Sequence, residues 1–317
     1  MKNKIKYLKE SPIYAMSLCS KELFHSNFWA WLMETDESFV EIFFKGEDSK
    51  KLTGIGREDG HRDITIYRRD DEKDKNEKAD VYVIENKLKS IPTVEQLELY
   101  KKDIENWGVW KGGVLTGIKK PLFDLPVGWS FLTHREIAQK IRETAQNSSE
   151  KNIKDNIELI KQYCEVLENI SDILEYKLEA TKNVFEYNVD GLAEIRLFDI
   201  AKKMKAEDFL AYLRNYLTAR EVDLPQKYND FCLKTNVSFH NRKATIDARY
   251  SNWKNEKTET WLCVGIQIEE YQYRRLAERD NKNHTQDSIY DELKSVGWFD
   301  DGYDKYDNRK IFNRPTT

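Results

Sequence analysis

The sequence predicts an α/β protein in which a mixed central sheet is flanked by helices, followed by a C-terminal α+β region. Two observations carry this. The first 146 residues read in the order helix, β-meander, helix, strand, strand, helix, which suits a sheet with both antiparallel and parallel neighbours. Within that order, Val81-Tyr82-Val83-Ile84-Glu85-Asn86-Lys87 is an apolar strand that ends in charge. Side chains alternate along a strand, so Val81, Val83, Glu85 and Lys87 share one face, while Tyr82, Ile84 and Asn86 share the other.

Phe24, Phe28, Trp31 and Leu32 recur at helical spacing and predict a helix over 12–34, with Trp29 and Trp31 in the core. Leu52 to Arg69, interrupted by Glu58-Asp59-Gly60, predicts a hairpin. The charged run from Arg69 to Lys78 reads as a solvated loop before the strand Asp80–Leu88. A helix from Thr93 to Trp107 begins after Pro92 and stops at Gly108. Strands follow at 111–118 and 129–133, then a helix from Thr133 to Gln146. Asn147-Ser148-Ser149-Glu150-Lys151 is the linker candidate, which divides the chain into a core at 1–146 and an accessory region at 151–317. In the latter, an amphipathic helix runs to Leu178 with Ile153, Ile157, Ile160, Cys164 and Leu167 on one face. A helix over Leu192–Thr218 and strands at Phe231–Phe239, Lys243–Tyr250 and Glu259–Glu269 follow. The run Trp261-Leu262-Cys263-Val264-Gly265-Ile266 is too apolar for a free linker, so the region is expected to be folded, docked on the core or in a dimer contact. Residues from Asp300 read as a loosely held tail.

At 317 residues the chain can bury a full core, and its 39% hydrophobic and 34% charged residues exclude a disordered composition. The formal net charge of −4 gives no global basic field, so a nucleic-acid ligand would need a local basic strip or metal ions. Cys19, Cys164, Cys232 and Cys263 form no C-x-x-C pair and read as reduced, part-buried residues. With neither a signal core nor a membrane-spanning window, a cytoplasmic protein without a membrane partner is expected. Phosphate-binding glycine loops, a G-x-S-x-G elbow and His-x-x-x-His spacing are absent.

Charge at the end of a buried strand needs a partner, a metal or a chemical task. Asp63, in the β-prone run Arg62-Asp63-Ile64-Thr65-Ile66, would meet Glu85 and Lys87 if the two strands pair antiparallel. Two carboxylates are hard oxygen donors suited to Mg²⁺, and a neighbouring ammonium can stabilise charge on a phosphate.

The pattern Asp63…Glu85-Asn86-Lys87 resembles the signature of the PD-(D/E)XK nuclease superfamily. Three flanking blocks carry the resemblance over residues 17–145. Glu22-Leu23-Phe24-His25-Ser26-Asn27-Phe28-Trp29-Ala30-Trp31-Leu32 is similar to an E-x-x-H-S-x-F-x-A-W-L opening helix. Val94-Glu95-Gln96-Leu97-Glu98-Leu99-Tyr100 resembles the helix that carries a Gln and then a Tyr one turn on, and the later strands occur in matching order. Arg62 departs from the proline of the family name.

The resemblance implies a restriction-endonuclease-like core and a metal-dependent nuclease acting on nucleic acid, DNA first, with a role in defence against foreign DNA. It implies Mg²⁺ (or Mn²⁺) held by Asp63, Glu85 and the Asn86 backbone carbonyl. Lys87 would orient or help activate the attacking water, and Glu22 would lean toward the metal. His25 and Ser26 are the expected substrate contacts, with a buttressing role for His25 as the other reading. Gln96 is expected to face the site, holding the substrate backbone or Lys87, and Tyr100 to pack. His61, two residues before Asp63, reads as a loop-edge residue. A second copy or an unidentified protein partner fits the pattern too. The alternative is a catalytically silent binding or regulatory protein that keeps the nuclease fold.

Overall fold

The computed structural model describes residues 2–17, 21–45, 50–70, 78–88, 92–180, 191–219, 232–240, 243–251, 261–269, 272–280, 304–305 and 310–313. The chain divides into two compact units, one of residues 1–180 with 189–200 and one of 181–188 with 201–317. The expected charged loop after Arg69 falls largely outside the described residues.

In the first unit, the helices α1 (Lys2–Glu10), α2 (Pro12–Ser17) and α3 (Lys21–Thr35) precede a short 3-10 helix at Glu37–Ile42. Strands β1 (Lys51–Asp59), β2 (Arg62–Arg69) and β3 (Asp80–Lys87) form the meander, then come α4 (Val94–Trp107), β4 (Val109–Gly117), β5 (Trp129–Thr133) and α5 (His134–Asn147). The five strands lie in sequence order, with β1-β2 and β2-β3 antiparallel and β3-β4 and β4-β5 parallel. An α/β unit with a mixed five-stranded sheet therefore stands as expected. The hairpin between β1 and β2 closes tightly, Asp59 pairing with Arg62 across Gly60 and His61. Both turn residues have positive φ, 57° and 66°, as a two-residue turn matched to strand twist requires.

Alternation in β3 sends its two apolar rows to different helices. Val81 and Val83 join Leu97, Tyr100 and Ile104 of α4, together with Leu115 and Trp129, in one core cluster. Ile84, Ile64, Ile66 and Val114 are also fully buried, and α3 packs against β1, β2 and β3. Thr93 caps α4 by accepting from the Gln96 amide, and Thr133 caps α5 in a reciprocal capping box with Glu136.

Helical residues lie on both sides of 18–20, at Pro12–Ser17 and Lys21–Thr35, and the expected helix over 12–34 lies in part outside the described residues. Two expectations are revised in this unit. The long helix after residue 151 is broken at Asn156 into α6 (Lys151–Asp155) and α7 (Ile157–Ala180), because Asn156 leaves helical geometry and bonds back to Asn152. Finally, the compact unit runs past the linker candidate. Ser148 is buried and its Oγ donates to the Asp36 carboxylate, and α7 packs along α5. Ile160, Tyr163, Cys164, Leu167, Ile170 and Leu174 of α7 are all buried, so this helix is part of the first core.

The second unit contains an antiparallel sheet and the helix α8 (Phe198–Thr218), whose first residues count with the first unit. The strands β6 (Cys232–His240), β7 (Lys243–Ser251), β8 (Trp261–Glu269), β9 (Gln272–Asp280), β10 (Asp304–Lys305) and β11 (Lys310–Asn313) pair in the order β10-β11-β9-β8-β7-β6. Ala206 and Leu210 of α8 bury against Ile246. The apolar run of β8 is a central strand, as its composition requires. The tail expected after Asp300 instead supplies β10 and β11, since Lys310–Asn313 pairs with β9. Among the described residues, no helix is long and apolar enough to cross a membrane.

A fragment ending at residue 146 would strip α7 from α5 and expose those buried side chains. We expect 1–146 to lack a cooperative urea transition by circular dichroism while 1–200 keeps one. A sharp transition in 1–146 would show that α7 is dispensable to this core.

Candidate functional site

The site forms where β2 begins and β3 ends. The antiparallel register, Ile64 opposite Ile84, carries on to set Asp63 opposite Glu85, and facing residues of a pair project to the same side. Glu85 is close enough to Asp63 for its charge to raise the Asp63 pKa, and the Asp63 backbone N–H in turn favours the ionised Glu85. Lys87, two residues on, forms an ion pair with Glu85 Oε1 at 2.6 Å. The expected acid–acid–lysine set is thus brought together by strand pairing alone.

Helix α4 supplies the next layer. Gln96 Nε2 donates to Glu85 Oε1 at 3.0 Å and to Tyr100 Oη at 2.7 Å. Tyr100 Oη in turn donates to the His61 carbonyl at 2.7 Å and lies 3.4 Å from Glu85 Oε1. Gln96 faces the site, but in this structure it holds Glu85 and not Lys87. Tyr100, expected only to pack, joins it. The i, i+4 spacing of Gln96 and Tyr100 was the available signal. His61 lies exposed at the turn and contributes its carbonyl to Tyr100.

On the other face of β3, Asn86 is fully buried. Its backbone N–H donates to Asp63 Oδ2 at 2.7 Å. Its side-chain amide donates to Glu22 O at 2.9 Å and approaches Ser26 Oγ at 3.4 Å, while its Oδ1 receives Thr116 Oγ1 at 3.1 Å and lies 2.9 Å from His134 Nε2. Glu22, in the first turn of α3, accepts the Leu88 N–H on Oε1 at 3.1 Å. Its charge also bears on Asp63 and Lys87. Ser26 Oγ donates to Glu22 O at 3.0 Å. His25 and Ser26 are 0% and 1% exposed, so neither side chain meets solvent as a substrate contact must. His25 Nδ1 sits 3.1 Å from Tyr163 Oη, whose ring stacks on Phe28 at 3.9 Å. Buttressing, the other reading of His25, is what this packing provides. Sequence spacing offers no sign of Thr116, His134 or Tyr163, which arrive from distant segments.

The electrostatics follow from gathering three acids, Glu85 buried and Asp63 and Glu22 half-buried, with one lysine. Burial, and then Glu85, raise Asp63 to a pKa of about 7 against the opposing pull of the Asn86 N–H and Lys87. Burial also raises Glu85, outweighing the stabilisation that Lys87 gives its charge. Burial alone would lower the Lys87 ammonium, but Glu85, Asp63 and Glu22 raise it on balance. His25 and His134 are held neutral near a pKa of about 3, chiefly by burial.

Two carboxylates suit Mg²⁺, which takes one or two from protein and fills its shell with water and substrate oxygen. Glu85 Oε2 is buried with no hydrogen-bond partner, while Oε1 carries the contacts to Lys87, Gln96 and Tyr100. That orphaned oxygen and the excess of negative charge fit a divalent cation between Asp63 and Glu85. Among the described residues no group of three or more His, Cys, Asp or Glu side chains is arranged to hold a metal, so the fit rests on the carboxylate pair. A cleft of about 550 Å³ lined by Asp36, Glu41, Lys45, Lys140 and Ser148 shares no residue with this set, and its mixed charges select no ligand.

Compared with family models, curated proteins and solved structures, the chain matches none.

Because Asp63 ionises higher in the folded protein than the ordinary 3.8, the fold keeps its full contribution below pH 3.8 and loses it as pH rises through about 7. At pH 8 the ionised carboxylate therefore works against folding. Asp63→Asn keeps an acceptor for the Asn86 N–H and removes the charge. We expect it to be more stable than wild type at pH 8 by about 1 kcal/mol or more, and closer to wild type at pH 5, in urea unfolding without divalent metal. A variant less stable than wild type at pH 8 would contradict this account of the charge.

Proposed function

We propose that this chain is a metal-dependent phosphodiesterase of the PD-(D/E)XK type, with a restriction-endonuclease-like core, that hydrolyses nucleic acid, DNA being the first candidate. The observation that carries the proposal is the convergence of Asp63, Glu85 and Lys87 at one strand end, with Glu85 Oε2 left without a partner. A structural ion pair would need only Glu85 and Lys87. The second acid adds an electrostatic cost that a binding function for cations explains.

Asp63 and Glu85 would hold Mg²⁺ or Mn²⁺. A divalent cation there supplies charge neutralisation for a phosphate and lowers the pKa of a bound water. Gln96 and Tyr100 fix the Glu85 carboxylate through Oε1, leaving Oε2 as the free ligand atom. Lys87 is held by Glu85 with its ammonium charged, and stabilises negative charge developing on the phosphorus centre. Asn86 would add its backbone carbonyl to the metal shell, and its N–H orients Asp63. A role in defence against foreign DNA extends from the family resemblance alone. The net charge of −4 favours a second reading, a silent nuclease-fold protein that binds or regulates.

The assay that separates them is purified protein with Mg²⁺ or Mn²⁺ against plasmid, linear duplex, single-stranded DNA and RNA, with EDTA as control. Lys87→Ala keeps both carboxylates, so we expect metal binding to persist and cleavage to slow about a hundredfold or more. Glu85→Ala should lose both. Activity surviving in Glu85→Ala would place the chemistry elsewhere, and silence of wild type on every substrate would favour the binding protein.

A further inference from the structure

The carboxyl ends of β3, β4 and β5 lie side by side, Asn86 beside Thr116 and Thr116 beside Leu132. Each end contributes to one buried polar knot: Asn86 from β3, Thr116 from β4, and His134, the first residue of α5, just after β5. All three are 0% exposed. The contacts allow one assignment of hydrogens. Glu22 O is a carbonyl and can only accept, so the Asn86 nitrogen must face it. The Asn86 oxygen then faces Thr116 Oγ1 and His134 Nε2, and both must donate. His134 is therefore the Nε2–H tautomer, and its Nδ1 is a bare acceptor with no partner.

This arrangement gives His134 a task beyond filling space. Its N–H fixes the side chain of Asn86, and through that residue the segment whose backbone holds Asp63 and whose neighbours are Glu85 and Lys87. We infer that His134 is a positioning residue of the site, acting through Asn86 to hold the end of β3 against β2. The inference rests on the nuclease reading for its catalytic consequence, but not for its structural one.

The test uses the full-length protein in three variants. His134→Phe keeps a buried ring and removes the donor, His134→Gln places an amide N–H near the position of Nε2, and Thr116→Val removes the second donor to the same oxygen. The first readout is amide hydrogen exchange at Asn86 and Leu88 in metal-free protein, with Val83 and Ile64 as references inside the sheet. We expect His134→Phe to speed exchange at Asn86 at least tenfold while the reference amides change less than twofold. His134→Gln should return it to within threefold of wild type. Thr116→Val should speed it by a smaller factor in the same place. The second readout is Mn²⁺ affinity by calorimetry together with kcat and KM for DNA. His134→Phe should weaken Mn²⁺ binding and lower kcat about tenfold with KM within twofold, and His134→Gln should restore both.

Unchanged exchange at Asn86 in His134→Phe overturns the inference, as does a loss of protection spread evenly over the sheet. Should His134→Phe fail to fold, Thr116→Val and His134→Gln carry the same test: wild-type exchange at Asn86 in Thr116→Val, or no protection there in His134→Gln, overturns it. Local loss of protection in a protein whose wild type neither binds Mn²⁺ nor cleaves supports the positioning role while removing the nuclease reading.

Discussion

Everything around the site answers one constraint, the close approach of two facing carboxylates, half-buried Asp63 and buried Glu85, where β2 and β3 meet. A strand pair made only for stability would put apolar side chains there, as it does one step earlier with Ile64 and Ile84. An unpaired charge in such a place is among the costliest features a core can carry. The surrounding residues spread that cost. Lys87 and Gln96 meet the same Glu85 oxygen, and the Asn86 N–H takes one oxygen of Asp63. The compensation is incomplete, and Asp63 keeps a pKa of about 7 because of it. Residual charge of this kind is what a cation site needs, since a fully neutralised pair would have nothing left to offer a ligand.

The topology explains why this point of the sheet was available. Ahead of β3 the sheet is an antiparallel meander, and after it the strands run parallel, so β3 is where the pattern changes. Its carboxyl end lies beside those of β4 and β5, and helices α3 and α5 begin nearby, bringing Glu22 and His134 to Asn86. Alternation along β3 then divides the work. The Glu85 and Lys87 row looks toward α4, which supplies Gln96 and Tyr100. The Asn86 side looks toward α3 and α5, where its contacts to Ser26, Thr116 and His134 are buried and the one to Glu22 is part-buried.

Local pattern explains what was legible in the sequence. The meander, α4, β4, β5 and α5 could be read because apolar runs, Gly60, Pro92, Gly108 and the capping threonines mark their limits within a few residues. Asp63, Glu85 and Lys87 could be read because strand alternation and one assumed pairing fix their relation. Long-range packing hid the rest. Tyr100 looked like core because a buried tyrosine usually is, and its hydroxyl meets His61 O only once the hairpin stands against α4. The burial of His25 depends on Tyr163, 138 residues away. Likewise β11 is too short to announce itself, and becomes a strand by pairing with β9. The break at Asn156 interrupts a hydrophobic stripe that stays continuous, since Ile153 and Ile160 are both buried on either side of it.

Arg62 shows how a departure from a sequence pattern can be understood physically. A proline before Asp63 would set the entry to β2 by restricting its own backbone. Arg62 sets it through its side chain. Nη1 meets Asp103 at 2.6 Å, Nε lies 3.3 Å from Thr65 Oγ1, and the guanidinium stands over the Trp107 ring at 5.6 Å. Asp103 and Trp107 belong to α4, so the residue before Asp63 is tied to the helix that carries Gln96 and Tyr100. Tyr100 adds a second tie one residue earlier, at the His61 carbonyl. The turn and the start of β2 are therefore tied to α4, and Asp63 is held from its N-terminal side by α4 and from across the sheet by Asn86. A buried cation on one side and the Asn86 N–H on the other thus set the position of Asp63.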